Sequence, residues 1–469
     1  MSENKEQVFE NEEFEILLRK YEDMRSGVQS IFFDVEEFEQ IIDYFLDDFQ
    51  YDEAKEAANL GKKQHPSSVE IKYKFVHIFI EQGNAKKALA LLEAIPDWED
   101  SNPERYFLKG TAHCLMGKLK EAERQFDRAL ELSGEETFEA LLNISIAFEN
   151  VRHYELALKY LAQAFGQQPE NLSVLYDMGY FYERLHKFDE SLKYYERYLD
   201  LDPFSDNVWY NIGIVYHKIE LFEKAVEAYD FSISLNPDYA SAYFNKATVW
   251  IHARNFDRAI ASYKDFLEIE PENTQAYCYM GDCYEQMERL DDAVSAFQKV
   301  IEIDNTDPEG WFGAGMIYIL QNRHEEAITY ILKAIEFDGS NLDYWINLGY
   351  VSEDAGQIEE AIKCYAHVTR SDASDPDGWI ALSGLLMKEG DFEQALNFLR
   401  AAYVHHPDTA AIKVKMAVCH LKMEEHSLAL KFLEEGLKKD SSLLADFAYY
   451  FPAGSYGIDI KRVIQKYKS

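Results

Sequence analysis

The sequence predicts an all-α solenoid in which antiparallel helix pairs stack one on the next along most of its 469 residues. Three observations carry that prediction. One pattern of side chains recurs every 34 residues, and self-similarity at such a period marks a stack of supersecondary units rather than a row of globular domains. Within each period, apolar residues fall at positions 4, 7, 8 and 11 and again at 17, 20, 24 and 27, the spacing of two amphipathic helices. Hydrophobic residues are 47% and aromatics 14% of the chain, too much for disorder, yet only 11 prolines and 22 glycines are available to shape loops.

Residues 1–34 form an acidic N-terminal region. The stretch FENEEFEILLRKYEDMRSG reads as an amphipathic capping helix with Phe14, Leu17, Leu18, Tyr21 and Met24 on one side. Asp34 followed by Glu37 is a capping pattern for the helix that opens the array.

Twelve units then run over residues 35–443, starting at 35, 69, 103, 138, 172, 206, 240, 274, 308, 342, 376 and 410, with one inserted residue near Thr137. Position 20 is alanine in every unit except the fifth, which has Ser191. Position 8 is Gly110, Gly179, Gly213, Gly281, Gly315 or Gly349, with Ser145, Ala247, Ser383 and Ala417 elsewhere, so two helices can approach closely. Ile42 and Val76 break this rule in the first two units, where end units are expected to be atypical. Large rings recur at position 4 (Trp209, Tyr243, Tyr277, Trp311, Trp345, Trp379) and at position 11 (Phe148, Tyr182, Tyr216, Trp250, Tyr284, Tyr318). Prolines 66, 169, 203, 237, 271 and 407 stand at position 32, where the second helix has to stop because proline lacks the donor.

These residues resemble the tetratricopeptide repeat, whose signature is a Trp, then Leu-Gly, Tyr, Ala, Phe and Pro at this spacing. Lys72 and Lys413 depart from it at position 4, and His113 and His420 at position 11, where they read as satisfied packing residues. The resemblance implies a right-handed superhelix with a concave inner groove. Residues 444–469 supply the far end: LLADFAYYF and IDIKRVIQKYK read as two capping helices, with Lys461, Arg462, Lys466 and Lys468 settling against the acidic body.

Charge and motif content narrow the function. With 85 acidic residues against 47 lysines and arginines, a net charge of −38 repels phosphate backbones and anionic head groups, so nucleic acid and membrane surfaces are poor partners. Five scattered cysteines without a CxxC pair signal neither a disulfide framework nor a zinc site. The opening MSENKEQVFENEEFEILL has no basic stretch followed by an apolar core, and no run is long and apolar enough to insert in a membrane, which points to the cytoplasm. No phosphate-cradling loop, nucleophile elbow or HExxH helix appears, and the register never opens to admit a catalytic domain. A non-catalytic protein without cofactor or metal is the expectation.

In the geometry that the resemblance implies, positions 2, 5, 6, 9, 12 and 13 of each first helix face the groove. Position 5 is a nearly unbroken apolar track that includes Tyr176, Tyr210 and Phe244. Position 6 holds Asn143, Asn211, Asn245 and Asn347, whose amides can both donate to and accept from an extended backbone, and some superhelical members of the family bind peptides this way. Arg184, His217, Lys218 and His252 at positions 12 and 13 suggest a mildly positive zone beside Tyr176 and Tyr180. The carboxylate clamp of chaperone-binding members needs a basic residue at position 5, and no unit has one. The expected function is therefore an interaction scaffold that holds an extended apolar-aromatic segment of a partner protein. The alternatives are a structural subunit that docks through its edges or ends, and, less favoured, a small-molecule sensor or enzyme with a groove site.

Overall fold

The computed structural model describes residues 3–27, 31–95, 100–452 and 457–467, with side chains from residue 14 onward. Among them every regular element is helical, and two short 3-10 turns at 134–136 and 441–443 join α-helices. No helix among the described residues is long and apolar enough to cross a membrane. The chain divides into two compact units, residues 1–236 and 237–469.

In the first unit, the helix Glu3–Arg25 precedes six antiparallel hairpins whose first helices are Val35–Asp47, Glu70–Glu81, Pro103–Leu115, Thr137–Glu149, Leu172–Arg184 and Asp206–Lys218. The residue inserted near Thr137 is taken up by the 3-10 turn, which Gly134 enters at a φ of 55°. In the second unit, the first helices are Ala240–His252, Thr274–Gln286, Pro308–Leu320, Leu342–Asp354, Pro376–Lys388 and Ala410–Lys422, followed by the short helices Leu444–Tyr450 and Ile458–Tyr467.

Small residues hold each hairpin together. Ala225, Ala259, Ser191 and their counterparts at position 20 are fully buried. The position 8 glycines have a further use, because a Cβ on Gly349 would lie 2.3 Å from the Tyr365 ring, one on Gly179 2.5 Å from Tyr195 and one on Gly213 2.6 Å from Tyr229. A ring at position 24 occupies the space that the glycine leaves. The same exchange of volume accounts for Ile42, which is buried, since position 24 of its unit carries only Ala58. Val76 faces Leu92, a residue as large as those opposite Ser145 and Ser383, and stays an exception in the second unit.

Two backbone devices recur with the repeat. Just beyond the C-cap of each first helix, position 15 is left-handed in all twelve hairpins: Gly83, Gly117, Gly356 and Gly390 adopt it without a Cβ penalty, whereas Phe49, Arg152, His186, Glu220, Arg254, Glu288, Asn322 and Glu424 adopt it despite one. The indole N–H groups of Trp209, Trp311, Trp345 and Trp379 donate to the carbonyls of Pro203, Asn305, Gly339 and Ala373 over 3.1, 2.9, 3.0 and 3.4 Å. The position 4 tryptophan thus pins the turn before its own helix. Asn102, Asn171, Asn273, Asp307, Asn341 and Asp375 cap first helices through side-chain oxygens.

Both ends are covered. Leu17 and Tyr21 are buried against the first hairpin, with Phe14, Leu18 and Met24 packed beside them. Asp34 and Glu37 complete a reciprocal capping box, each bond 2.8 Å. At the other end Phe447, Phe451, Ile460 and Ile464 are buried against the last hairpins. Lys466 reaches Glu434 at 2.6 Å, while Arg462 pairs at 3.7 Å with Asp459 of its own helix. Lys468 lies outside the described residues. His420 is a satisfied core residue, its Nδ1 2.5 Å from Glu425 and its ring stacked on Phe432. His113 is not: its Nδ1 is buried without a hydrogen-bond partner, and burial pushes its pKa down.

Candidate functional site

Position 5 of the first helices presents half-buried rings whose inner edges rest on the core. Tyr176 lies 6.1 Å from Tyr195, Tyr210 5.8 Å from Tyr229 and Phe244 5.4 Å from Tyr263, centroid to centroid. Each ring therefore rests on the second helix of its own hairpin and stays half-buried. Phe244 also meets Phe266 and Tyr279, at 5.2 and 5.9 Å.

Among the polar candidates, the structure joins several. Asn211 donates through Nδ2 to the Tyr176 hydroxyl over 2.9 Å. Asn347 donates to the carbonyl of Asp343 on its own helix over 2.8 Å, so one of its amide protons is engaged within the fold. Asn143 is exposed and lines a cleft of about 220 Å³ together with Phe107 and Ile144, whereas Asn245 is half-buried. Arg184 lies over the rings of Tyr154 and Tyr180, 5.6 and 6.0 Å from their centroids, and its Nε donates to the Tyr154 hydroxyl over 3.3 Å. His217 packs against Phe222, and His252 is exposed.

Of the cations expected to make a mildly positive zone, Arg184, His217, Lys218 and His252, the structure engages Lys218 and Arg184 within the fold. Lys218 is ion-paired with Glu183, whose side chain is buried, so its charge is spent inside the first unit. Arg184 is spread over two rings. Two carboxylates on first helices stand without such partners. Asp177 has no hydrogen-bond or ion-pair partner among the described residues, and burial, helped by Glu149, pushes its pKa up to about 6. In the second unit Asp282, more exposed than Asp177, also lacks a hydrogen-bond or ion-pair partner among the described residues, and partial burial, then Glu285 and Glu309, raise its pKa to about 6.

Two clefts adjoin Asp282. One, of about 240 Å³, lies between Thr248, Ile251, His252, Phe256 and Tyr263 on one side and Tyr279, Cys283 and Gln286 on the other. The second, of about 260 Å³, is lined by Cys278, Glu285, Phe297, Phe312, Met316 and Leu320 among others. Both are mainly apolar, and Asp282 borders each. Sequence reasoning passed over Asp177 and Asp282 because acidic residues are so common in this chain. A usable signal existed in their neighbours, since YDMGYFY and YMGDCY set one carboxylate inside an aromatic run.

Comparison with known proteins agrees with this architecture. Tetratricopeptide repeat models match residues 45–110, 251–311 and 386–446, residues 142–206, residues 207–239, and residues 308–341 and 342–375, together more than half of the chain. No curated protein matches it. Among solved structures the chain is similar to a tetratricopeptide repeat protein from Parabacteroides merdae, at 18% identity over 53% of this chain and 98% of that one with a TM-score of 0.39. It is also similar to MamA from Desulfovibrio magneticus, at 19% identity over 36% and 96% with a TM-score of 0.33. A third is YrrB, described as a TPR protein with an unusual peptide-binding site, at 23% identity over 40% and 96% with a TM-score of 0.34. Repeat register, helix-hairpin architecture and matching family models lead to one conclusion: this chain belongs to the tetratricopeptide repeat family.

Proposed function

We propose that the protein is a non-catalytic scaffold that holds an extended, apolar-aromatic segment of another protein along the face made by its first helices. The observation that carries this reading is the half-buried rings at position 5 of each unit, Phe107, Tyr176 and Tyr210 in the first and Phe244 and Phe312 in the second, accompanied within each unit by apolar clefts of 220–260 Å³. Rigid rings already held on one edge bury much area on binding at little cost in side-chain entropy. Residues 35–443 form the repeat array in this reading, between the N-terminal region 1–34 and the caps in 444–469. Five free thiols support a reducing, cytoplasmic setting.

The competing reading is an assembly subunit that docks through its edges. It draws support from Phe204, Phe231 and Val404, which are 76%, 54% and 77% exposed. Affinity capture with wild type, with Tyr176, Tyr210 and Phe244 changed together to Ala, and with Phe204 and Phe231 changed to Ser separates the two. The groove reading requires that the triple Ala variant keep its helical circular dichroism and lose the captured partner. Retention by that variant and loss by the Phe204 and Phe231 variant would favour the edge instead.

A further inference from the structure

Asp282 is the one residue common to two neighbouring apolar clefts, one on either side of the helix Thr274–Gln286. Aromatic and aliphatic side chains flank it on both sides: Phe256, Tyr263 and Tyr279 in one cleft, Phe297, Phe312 and Met316 in the other. Its carboxylate is reachable from solvent yet has no hydrogen-bond or ion-pair partner among the described residues. No lysine or arginine lines either cleft, and His252 is the one basic side chain on their walls. Glu285 and Glu309 deepen the negative potential there, Glu309 already accepting a hydrogen bond from the Tyr344 hydroxyl at 3.0 Å.

We infer that this pair of clefts receives a lysine or arginine side chain of the bound segment, with Asp282 taking the cation and the flanking rings covering its aliphatic stem. The inference rests on the groove reading above and specifies the chemistry of the partner. Charge complementarity selects this occupant over a purely apolar one. A neutral side chain filling the clefts would strip the remaining water from Asp282 and leave a carboxylate without a partner, which is costly, whereas a cation replaces that water with a charge-assisted bond. Lysine and arginine also carry the apolar stem that such clefts accept, and an arginine can stack its guanidinium on a ring. The net charge of −38 steers the same class of partner toward the protein before contact. A metal ion is not favoured by the side chains, because no group of three or more ligating residues converges among the described residues.

The test is selection of random displayed peptides on the full chain, wild type and Asp282→Asn, with Phe312→Ala as the apolar control. Peptides recovered on wild type should share a lysine or arginine at one fixed place in an apolar-aromatic motif, and Asp282→Asn should lose that preference. A synthetic peptide of the recovered motif should bind wild type at least about tenfold more tightly than Asp282→Asn, and replacing its basic residue with norleucine should remove the difference. The norleucine peptide tests the inference on wild type alone, so it does not depend on the variant's folding. Recovered motifs without a basic residue, or a basic motif that Asp282→Asn binds equally well, would overturn the inference and leave the groove reading standing. Failure to recover any peptide whose binding Phe312→Ala weakens would overturn both.

Discussion

Gly349→Ala and Gly166→Ala are the same substitution in two helices, and the structure assigns them opposite signs. Alanine is favoured over glycine inside a helix by about 1 kcal/mol. At Gly166 a Cβ would meet nothing within 4 Å, so that gain is realised almost whole. At Gly349 the new carbon would sit 2.3, 2.7 and 3.0 Å from three atoms of the Tyr365 ring. That ring is fully buried, and its hydroxyl donates to Glu353 over 3.2 Å, so moving it by about an ångström strains both packing and hydrogen bond. Overpacking of this kind costs about 1–3 kcal/mol against a propensity gain of about 1, and with a contact this short the net effect should be a loss of up to about 2 kcal/mol. Long repeat arrays do not unfold in one cooperative step, so the informative quantities are the midpoint of the urea transition and the hydrogen-exchange protection of the helices 342–354 and 358–371. Gly166→Ala should raise the midpoint, and Gly349→Ala should lower it with protection lost locally around Tyr365. Equal shifts in one direction would refute the claim that position 8 is a seat for the position 24 ring.

Three further outcomes follow from other residues. Asp177→Asn should stabilise the first unit at pH 7 by at most about 3 kcal/mol. Its native pKa, about 6, lies above the unfolded value near 3.8, so the native state binds the extra proton between these pH values. The penalty on the wild type is absent below about pH 4, grows between pH 4 and 6 and is complete above; melting at pH 4 and 7 should therefore show the variant's advantage only at pH 7. Glu220→Gly relieves a left-handed residue at φ 60° and should raise thermal stability by about 0.5–1 kcal/mol. Lys415→Met should stabilise the second unit, since burial pushes the lysine's pKa down. Its native pKa is below the unfolded one, so the cost of the charged form is present at neutral pH and fades as pH rises toward the unfolded value. Melting of Lys415→Met against wild type at pH 7 and pH 10 should show the gap narrowing.

How far the residues announce this structure depends on what each one answers to. Ala225 and its counterparts at position 20 face a constraint inside their own hairpin, so a single sequence displays it twelve times over. Ile42 looks like an exception when position 8 is read alone and ceases to be one when Ala58 is read with it, because the small residue leaves room for the large one. The left-handed turn residue was legible only at its four glycines; Glu288 or His186 at the same place is held there by the helices on either side and carries no local mark. The candidate site was the least legible. Tyr176, Tyr210 and Phe244 could be picked out by register, but the fate of Lys218 depends on Glu183, a residue 35 positions away, and the exposure of Asp282 to two clefts depends on hairpins before and after it. Register alone shows Lys218 as a cation and not the neighbouring-repeat carboxylate that pairs with it.

The five native thiols offer a practical opening. Burial pushes Cys114, Cys278, Cys283, Cys364 and Cys419 each up to about 12, so little of any of them is the reactive thiolate at neutral pH. A cysteine introduced at an exposed turn, Glu220 in one unit or Glu288 in the other, would outcompete all five for maleimide. A fluorescent dye placed at either turn would then report the arrival of a partner on that unit against an unmodified background.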